Sequence, residues 1–408
     1  MVIHPSLSTL SKDSRSWQIY PEDFFQGGAY TTLPYGRVRY WLLGPEDGKR
    51  IVLIHGLSVP AIIWKEIAPE LAARGFRVLL YDLYGRGYSD APQATYDTSL
   101  YVTQLALLMQ YVGWDKANIV GVSMGGGIAA SFADQFPHLV GDRLALLASA
   151  GIVEPTDMSR TSKFLSSPIM QVVTSSYPFR LYLRHLANNS SPIDDPISEL
   201  VRIQSAHLPG YNPAIASSIR DGPIRNLAPT FASVGRKTRK RGGKVLLIWG
   251  TKDSVVPYRY AARVQALIPQ AELITIEGGK HDITLSHPEE VVDYLHDFLV
   301  SWLDIVLGPH HYMHLSRALS FSCTTYATTD VPLPTLHSSR MVILLLWTRS
   351  GSTLIITIQP SRSLIPPTFI TLRIHGFYYY HSPSSISFNC CHILHFSCIV
   401  VYCRLISL

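Results

Sequence analysis

Residues 1–307 of this 408-residue chain contain no cysteine; all five (Cys323, Cys390, Cys391, Cys398 and Cys403) lie beyond Gly308. A disulfide framework is thereby excluded for the body of the protein, and a reducing compartment fits it. The N-terminus, MVIHPSLSTLSKDSRSWQIY, lacks the apolar stretch of about 7–15 residues that marks a secretory leader. The expectation is a cytoplasmic protein. Excess charge is missing too. The tail holds six of the 35 Lys and Arg residues and one of the 29 acids, Asp330, which leaves 29 cations and 28 acids in the body, a net charge of +1. A body so near neutrality offers no electrostatic reason to bind nucleic acid or an anionic membrane. Its one dense basic cluster, RKTRKR at 236–241, reads as a solvated loop before a strand at Lys244.

The tail, 308–408, also lacks lysine, yet holds eight of the sixteen histidines. Its apolar runs, MVILLLW (341–347) and ILHFSCIVVYC (393–403), fall short of the ~20 residues that a spanning helix needs. It is read as an unstructured segment, appended by read-through or a misplaced gene boundary; a membrane-peripheral or partner-binding segment is the alternative. The oligomeric state is not legible.

What the body does have is rhythm. Short β-branched, apolar runs recur at 51–55, 76–82, 117–122, 143–149, 244–250 and 271–277, without the polar alternation of a half-exposed strand. Such runs belong to strands covered on both faces. Helical stretches lie between them, including 99–113, a run starting at Ser123, and 286–303, where Ser286 and Glu289 stand in capping-box spacing around Pro288. The alternation predicts an α/β fold with a mostly parallel central sheet and helices on both faces. RVRYWLLG (37–44) adds an antiparallel edge hairpin. From 151 to 243 the rhythm fails: two helical stretches and no strand suggest an inserted helical cap. The expected divisions are an N-terminal extension (1–34), a first core half (35–150), the cap (151–243), a second core half (244–307) and the tail.

Chemistry concentrates at GVSMG, 121–125, which follows a strand and opens a helix. That context turns a weak pattern into a nucleophile elbow, with Ser123 lifted out at the carboxyl edge of the sheet. Gly121 and Gly125 supply the lack of bulk that so sharp a turn needs, and Gly126 and Gly127 allow close helix packing. A phosphate-cradling loop is the rival, but the spacing matches neither G-x-G-x-x-G nor a P-loop. A serine hydroxyl needs a base, and His281 in IEGGKHDI follows a late strand on a glycine-containing loop. An imidazole in that role needs a carboxylate. Asp253, at the end of LLIWGTKD, is placed for it; Asp282 is the rival, and helix capping is the alternative role for Asp253. Oxyanion donors are expected from the backbone amides of Met124 and Leu57. His55, before Gly56, reads as a loop brace rather than a base.

Five stretches in order, HGLS (55–58), DLYGRGYSD (82–90), GVSMGGG (121–127), GTKDSVVP (250–257) and GGKHD (278–282), resemble the α/β-hydrolase superfamily over roughly residues 35–305. The resemblance implies the fold, a Ser123–His281–Asp253 triad, an oxyanion hole at Leu57 and Met124, a helical cap, a structural role for the 82–90 loop and no cofactor. Serine at 123 argues against the alkyl-enzyme chemistry of relatives that carry aspartate there. The expected activity is hydrolysis of a small-molecule carboxylester, lipid esters included, through an acyl-enzyme. The alternatives are carbon–carbon bond hydrolysis of a dienoic ketoacid, and a low-turnover binding or scaffolding protein on the same fold.

Overall fold

The computed structural model describes residues 2–300, apart from 166, 168, 170, 171, 174 and 175, and then 340–348, 351–359 and 368–374. The chain divides into two compact units, Met1–Gly308 and Pro309–Leu408.

The first unit is built on eight strands: β1 (Gly28–Leu33), β2 (Gly36–Leu43), β3 (Lys49–Ile54), β4 (Phe76–Tyr81), β5 (Ala117–Val122), β6 (Val140–Leu147), β7 (Lys244–Gly250) and β8 (Glu272–Ile276). They lie side by side in the order β8-β7-β6-β5-β3-β4-β2-β1. From β4 through β8 every pairing is parallel, whereas β2 runs antiparallel to both β1 and β4. The expected hairpin forms this edge, with β1 as its outer strand.

The apolar runs are continuous because both faces are covered. Val52 and Ile54 of β3, Ile119 of β5, Leu146 of β6 and Trp249 of β7 share one apolar layer. That layer is closed by α2 (Thr98–Tyr111), α3 (Met124–Gln135) and α9 (Arg259–Leu267). Their strand neighbours Ile51, Leu53, Val120, Leu147 and Ile248 point the other way. These meet α1 (Ile67–Ala73) through Ile67 and Leu71, and α10 (Pro288–Leu299) through Val291, Leu295 and Leu299. Each such side chain, fully buried, contributes about 1.5–3 kcal/mol.

Between β6 and β7 the chain forms α4 (Arg160–Leu165), α5 (Tyr177–Asn189), α6 (Pro196–His207), α7 (Tyr211–Asp221) and α8 (Ala228–Lys240), with no strand among the described residues. The basic cluster is not the loop expected: 236–240 forms the last turns of α8. Val234 and Thr238 are buried there, Lys237 pairs with Asp134 at 2.6 Å, and cations at a helix C-terminus meet favourable partial charge. The capping box at Ser286 does not form either. Ser286 ends the short helix Ile283–Ser286, and its hydroxyl lies 3.1 Å from the Asp282 carbonyl and 2.9 Å from His287 Nδ1. His287 therefore occupies the cap position of α10.

In the tail, β9 (Arg340–Thr348), β10 (Gly351–Gln359) and β11 (Thr368–Ile374) pair as an antiparallel meander. The reading of an unstructured segment meets three strands here, in apolar and β-branched runs that suit a pleated sheet. The run at 393–403 lies outside the described residues.

The junction of β5 and α3 leaves no room for a Cβ atom. A methyl group added at Gly125 would sit 2.3 Å from the Ile54 carbonyl oxygen and 2.5 Å from that of His55, and one at Gly121 would sit 2.2 Å from the Gly125 carbonyl oxygen. Both obstacles are backbone, so neither can swing aside. Gly125→Ala is expected to cost about 3 kcal/mol and to lower Tm by about 5 °C. Thermal unfolding followed by circular dichroism reads this; an unchanged Tm would mean that the elbow has room to relax.

Candidate active site

Ser123 stands between β5 and α3 with φ 57° and ψ −123°, in the left-handed region that non-glycine residues avoid. Such a conformation costs of order 1–3 kcal/mol and persists only where the surroundings enforce it. Here the two ends of the turn enforce it: the Ser123 amide donates to the Leu147 carbonyl at 2.9 Å, and the Ser123 carbonyl accepts from the amides of Gly126 and Ala150.

The loop after β8 carries His281 to this serine, and its Nε2 lies 2.9 Å from Ser123 Oγ. Nδ1 lies 2.8 Å from Asp253 Oδ2. The second carboxylate oxygen of Asp253 accepts from the amides of Val255 and Val256, each at 2.8 Å. Asp253 thus holds the turn after β7 with one oxygen and meets the imidazole with the other. Asp282 is exposed and begins the short helix Ile283–Ser286; it takes no part in the chain of contacts. In the neutral tautomer whose Nδ1–H donates to Asp253, the Nε2 lone pair faces the hydroxyl.

Gly56 brings the loop after β3 against the serine, since a methyl group added there would sit 3.3 Å from Ser123 Cβ. Leu57 follows Gly56 in this loop, and Met124 opens α3 directly after the serine. His55 is buried and braces the loop: Nδ1–H donates to the Gly56 carbonyl, and Nε2 accepts from the Leu83 amide, both at 2.9 Å. Burial pushes its pKa down to about 3, so it is neutral at physiological pH.

The 82–90 loop locks the same region. Asp82 accepts from the Ala61 amide and the Tyr88 amide at 2.8 Å and from the Tyr20 hydroxyl at 3.1 Å. Burial nonetheless pushes its pKa up to about 6, against the pull of those donors.

These two groups oppose one another under acid. His55 is lowered in the fold, so it supports stability above about pH 6.5 and withdraws it as pH falls toward 3, by about 2 kcal/mol between pH 7.5 and 5. Asp82 is raised, so its contribution is present at low pH and lost as pH climbs through 6; acidification to pH 5 returns about 1 kcal/mol. Asp82→Asn removes the offset. Its urea midpoint is expected to fall more steeply than the wild type's between pH 7.5 and 5, and an equal or shallower fall would refute the assignment.

Sequence reasoning missed Arg86. Its guanidinium is fully buried, and no carboxylate lies within 4 Å of it among the described residues. It donates through Nε to the Leu57 carbonyl at 2.8 Å and through Nη1 to the Tyr84 carbonyl at 2.9 Å and the Tyr101 hydroxyl at 2.6 Å. Nη2 reaches Ser218 Oγ of α7 at 2.8 Å. Through this one residue the loop beside the serine is tied to α2 and to α7. The only signal in the sequence is an arginine between two glycines, Gly85 and Gly87, in a loop read as structural.

A sequence model of the alpha/beta hydrolase fold matches residues 49–288, more than half of the chain. The chain belongs to this family. Among relatives of this hydrolase, an uncharacterized protein of Mycobacterium tuberculosis is 29% identical over 263 residues, covering 62% of this chain and 76% of that protein. The 2-hydroxy-6-oxo-2,4-heptadienoate hydrolase of Pseudomonas putida is 27% identical over 260 residues, covering 62% and 90%. Among solved structures, the hydrolase fold is shared with the enol-lactonase of Burkholderia xenovorans, with a TM-score of 0.53 at 20% identity, covering 67% of this chain and 100% of that one. Among the described residues of the hydrolase, no helix is long and apolar enough to cross a membrane.

Proposed function

We propose that this α/β hydrolase is a serine hydrolase that cleaves an uncharged, lipophilic carboxylester through an acyl-enzyme. The observation that carries the reading is the unbroken chain from Ser123 Oγ through His281 to Asp253, with contacts of 2.9 and 2.8 Å. Ser123 Oγ attacks the carbonyl carbon while Nε2 of His281 takes its proton. The imidazolium is stabilised by the Asp253 carboxylate, whose other oxygen is held by the Val255 and Val256 amides. The developing oxyanion lies between the amides of Leu57 and Met124, in a site where each donor contributes about 10²–10³ in rate. His281 then protonates the leaving alkoxide. A water molecule, deprotonated by the same nitrogen, releases the acid. Helices α4–α7 would cap the substrate, while α8 packs on α3 and α9.

A second reading, cleavage of a carbon–carbon bond in a dienoic ketoacid, draws on the similarity to the Pseudomonas putida hydrolase. A fluorophosphonate probe tests the nucleophile: Ser123 should label, and Ser123→Ala and His281→Ala should not. A folded wild-type protein that resists the probe would favour a binding protein over an enzyme. Parallel turnover assays with short and long p-nitrophenyl esters and with 2-hydroxy-6-oxohepta-2,4-dienoate separate the two hydrolase readings.

A further inference from the structure

Thirteen large apolar side chains stand exposed among the described residues, and nine of them fall between positions 164 and 193. The best-defined group is on α5. Tyr177 is 66% exposed, Tyr182 56%, Leu181 43% and Leu186 42%. At helical spacing these four sweep one broad outward arc, since 177 and 181, and again 182 and 186, lie one turn apart, with the exposed and mutually hydrogen-bonded His185 and Asn189 between the two pairs. The opposite arc, Phe179, Leu183 and Ala187, is half-buried, and the helix packs on α6. A surface helix is ordinarily polar on its outer side, and one that is apolar on both sides is ordinarily covered on both. Patches of this kind on soluble proteins mark interaction sites.

The charges say what kind of cover fits. From Met158 to Ile193 there is no aspartate or glutamate, while Arg160, Lys163, Arg180 and Arg184 all carry positive charge. Arg184 is exposed, and Arg180 stacks over the Tyr177 ring with its guanidinium carbon 5.9 Å from the centroid. A second copy of this face would set the same cations against each other. The tail is no better matched, with six arginines against one aspartate. An apolar arc edged by cations suits a surface that is apolar beneath and anionic on top.

We propose that α5 is an interfacial helix that docks this chain on anionic phospholipid, with Tyr177, Leu181, Tyr182 and Leu186 entering the headgroup–acyl boundary and Arg180 and Arg184 meeting lipid phosphates. This contact lies in the body and does not depend on the hydrolase reading, because it is measured without turnover.

The test is co-sedimentation of the full-length chain with vesicles of phosphatidylcholine alone and of phosphatidylcholine containing phosphatidylglycerol as the minor lipid. The wild type is expected to sediment with the anionic vesicles, less with the neutral ones, and less at high salt. Leu181→Glu/Leu186→Glu and Arg180→Gln/Arg184→Gln should each weaken anionic-vesicle binding by about tenfold or more. Far-ultraviolet circular dichroism checks folding; if the glutamate pair unfolds, the glutamine pair carries the test. The proposal is overturned if the wild type fails to sediment with phosphatidylglycerol vesicles. It is also overturned if the variants sediment as well as the wild type, which would place binding elsewhere, such as in the tail, or if the wild type is a dimer that the glutamate pair dissociates.

Discussion

Replacing Ser123 with alanine is expected to lower kcat for an activated ester such as p-nitrophenyl butyrate by about 10⁶-fold, with KM little changed. The size follows from what is lost. Without Oγ there is no acyl-enzyme, and His281 Nε2, 2.9 Å from that oxygen in the wild type, has no hydroxyl to deprotonate. What survives is the contribution of the amides of Leu57 and Met124 and of substrate binding, about 10³–10⁴ over the reaction in water. Because nucleophile and base act as a unit, Ser123→Ala/His281→Ala should be little worse than either single change. Initial rates of the full-length proteins measure all three. A Ser123→Ala enzyme within tenfold of the wild type would end the serine mechanism.

Asp253→Asn should cost about 10⁴-fold in kcat while leaving the protein folded. The amide oxygen can still accept from Val255 and Val256, whose amides lie 2.8 Å from the native carboxylate. The amide nitrogen then faces His281 Nδ1 as a donor, which forces the proton onto Nε2 and leaves no lone pair toward Ser123. The change therefore acts through the tautomer rather than through the fold. Asp282→Asn is the matched control: its side chain is exposed, and the rate should stay within a few-fold of the wild type. If the two variants exchange these outcomes, the carboxylate has been wrongly chosen.

The elements that could be read from the sequence are those whose neighbours in sequence are also their determinants in space. The runs at 51–54, 119–122 and 245–250 are apolar at every position because both faces are covered, and the Gly121 and Gly125 pair announces a turn that excludes Cβ atoms. Ser286 misled because capping-box spacing says nothing of a preceding helical turn that already includes the residue. The basic cluster misled because a run of cations looks like a loop until Val234 and Thr238, one helical turn apart, are seen to be buried. Arg86 was illegible for a third reason: its partners Leu57, Tyr101 and Ser218 are scattered over more than 150 positions, and no local pattern records such a convergence.

The backbone twist at Ser123 has a consequence beyond chemistry. The hydroxyl is held where glycine would rest more comfortably, so the demand for turnover and the demand for durability pull in opposite directions at this one position. A lineage released from turnover would be free to drift toward glycine there, keeping a sturdy but inert body, and such sequences would record the moment at which the selection for chemistry ceased.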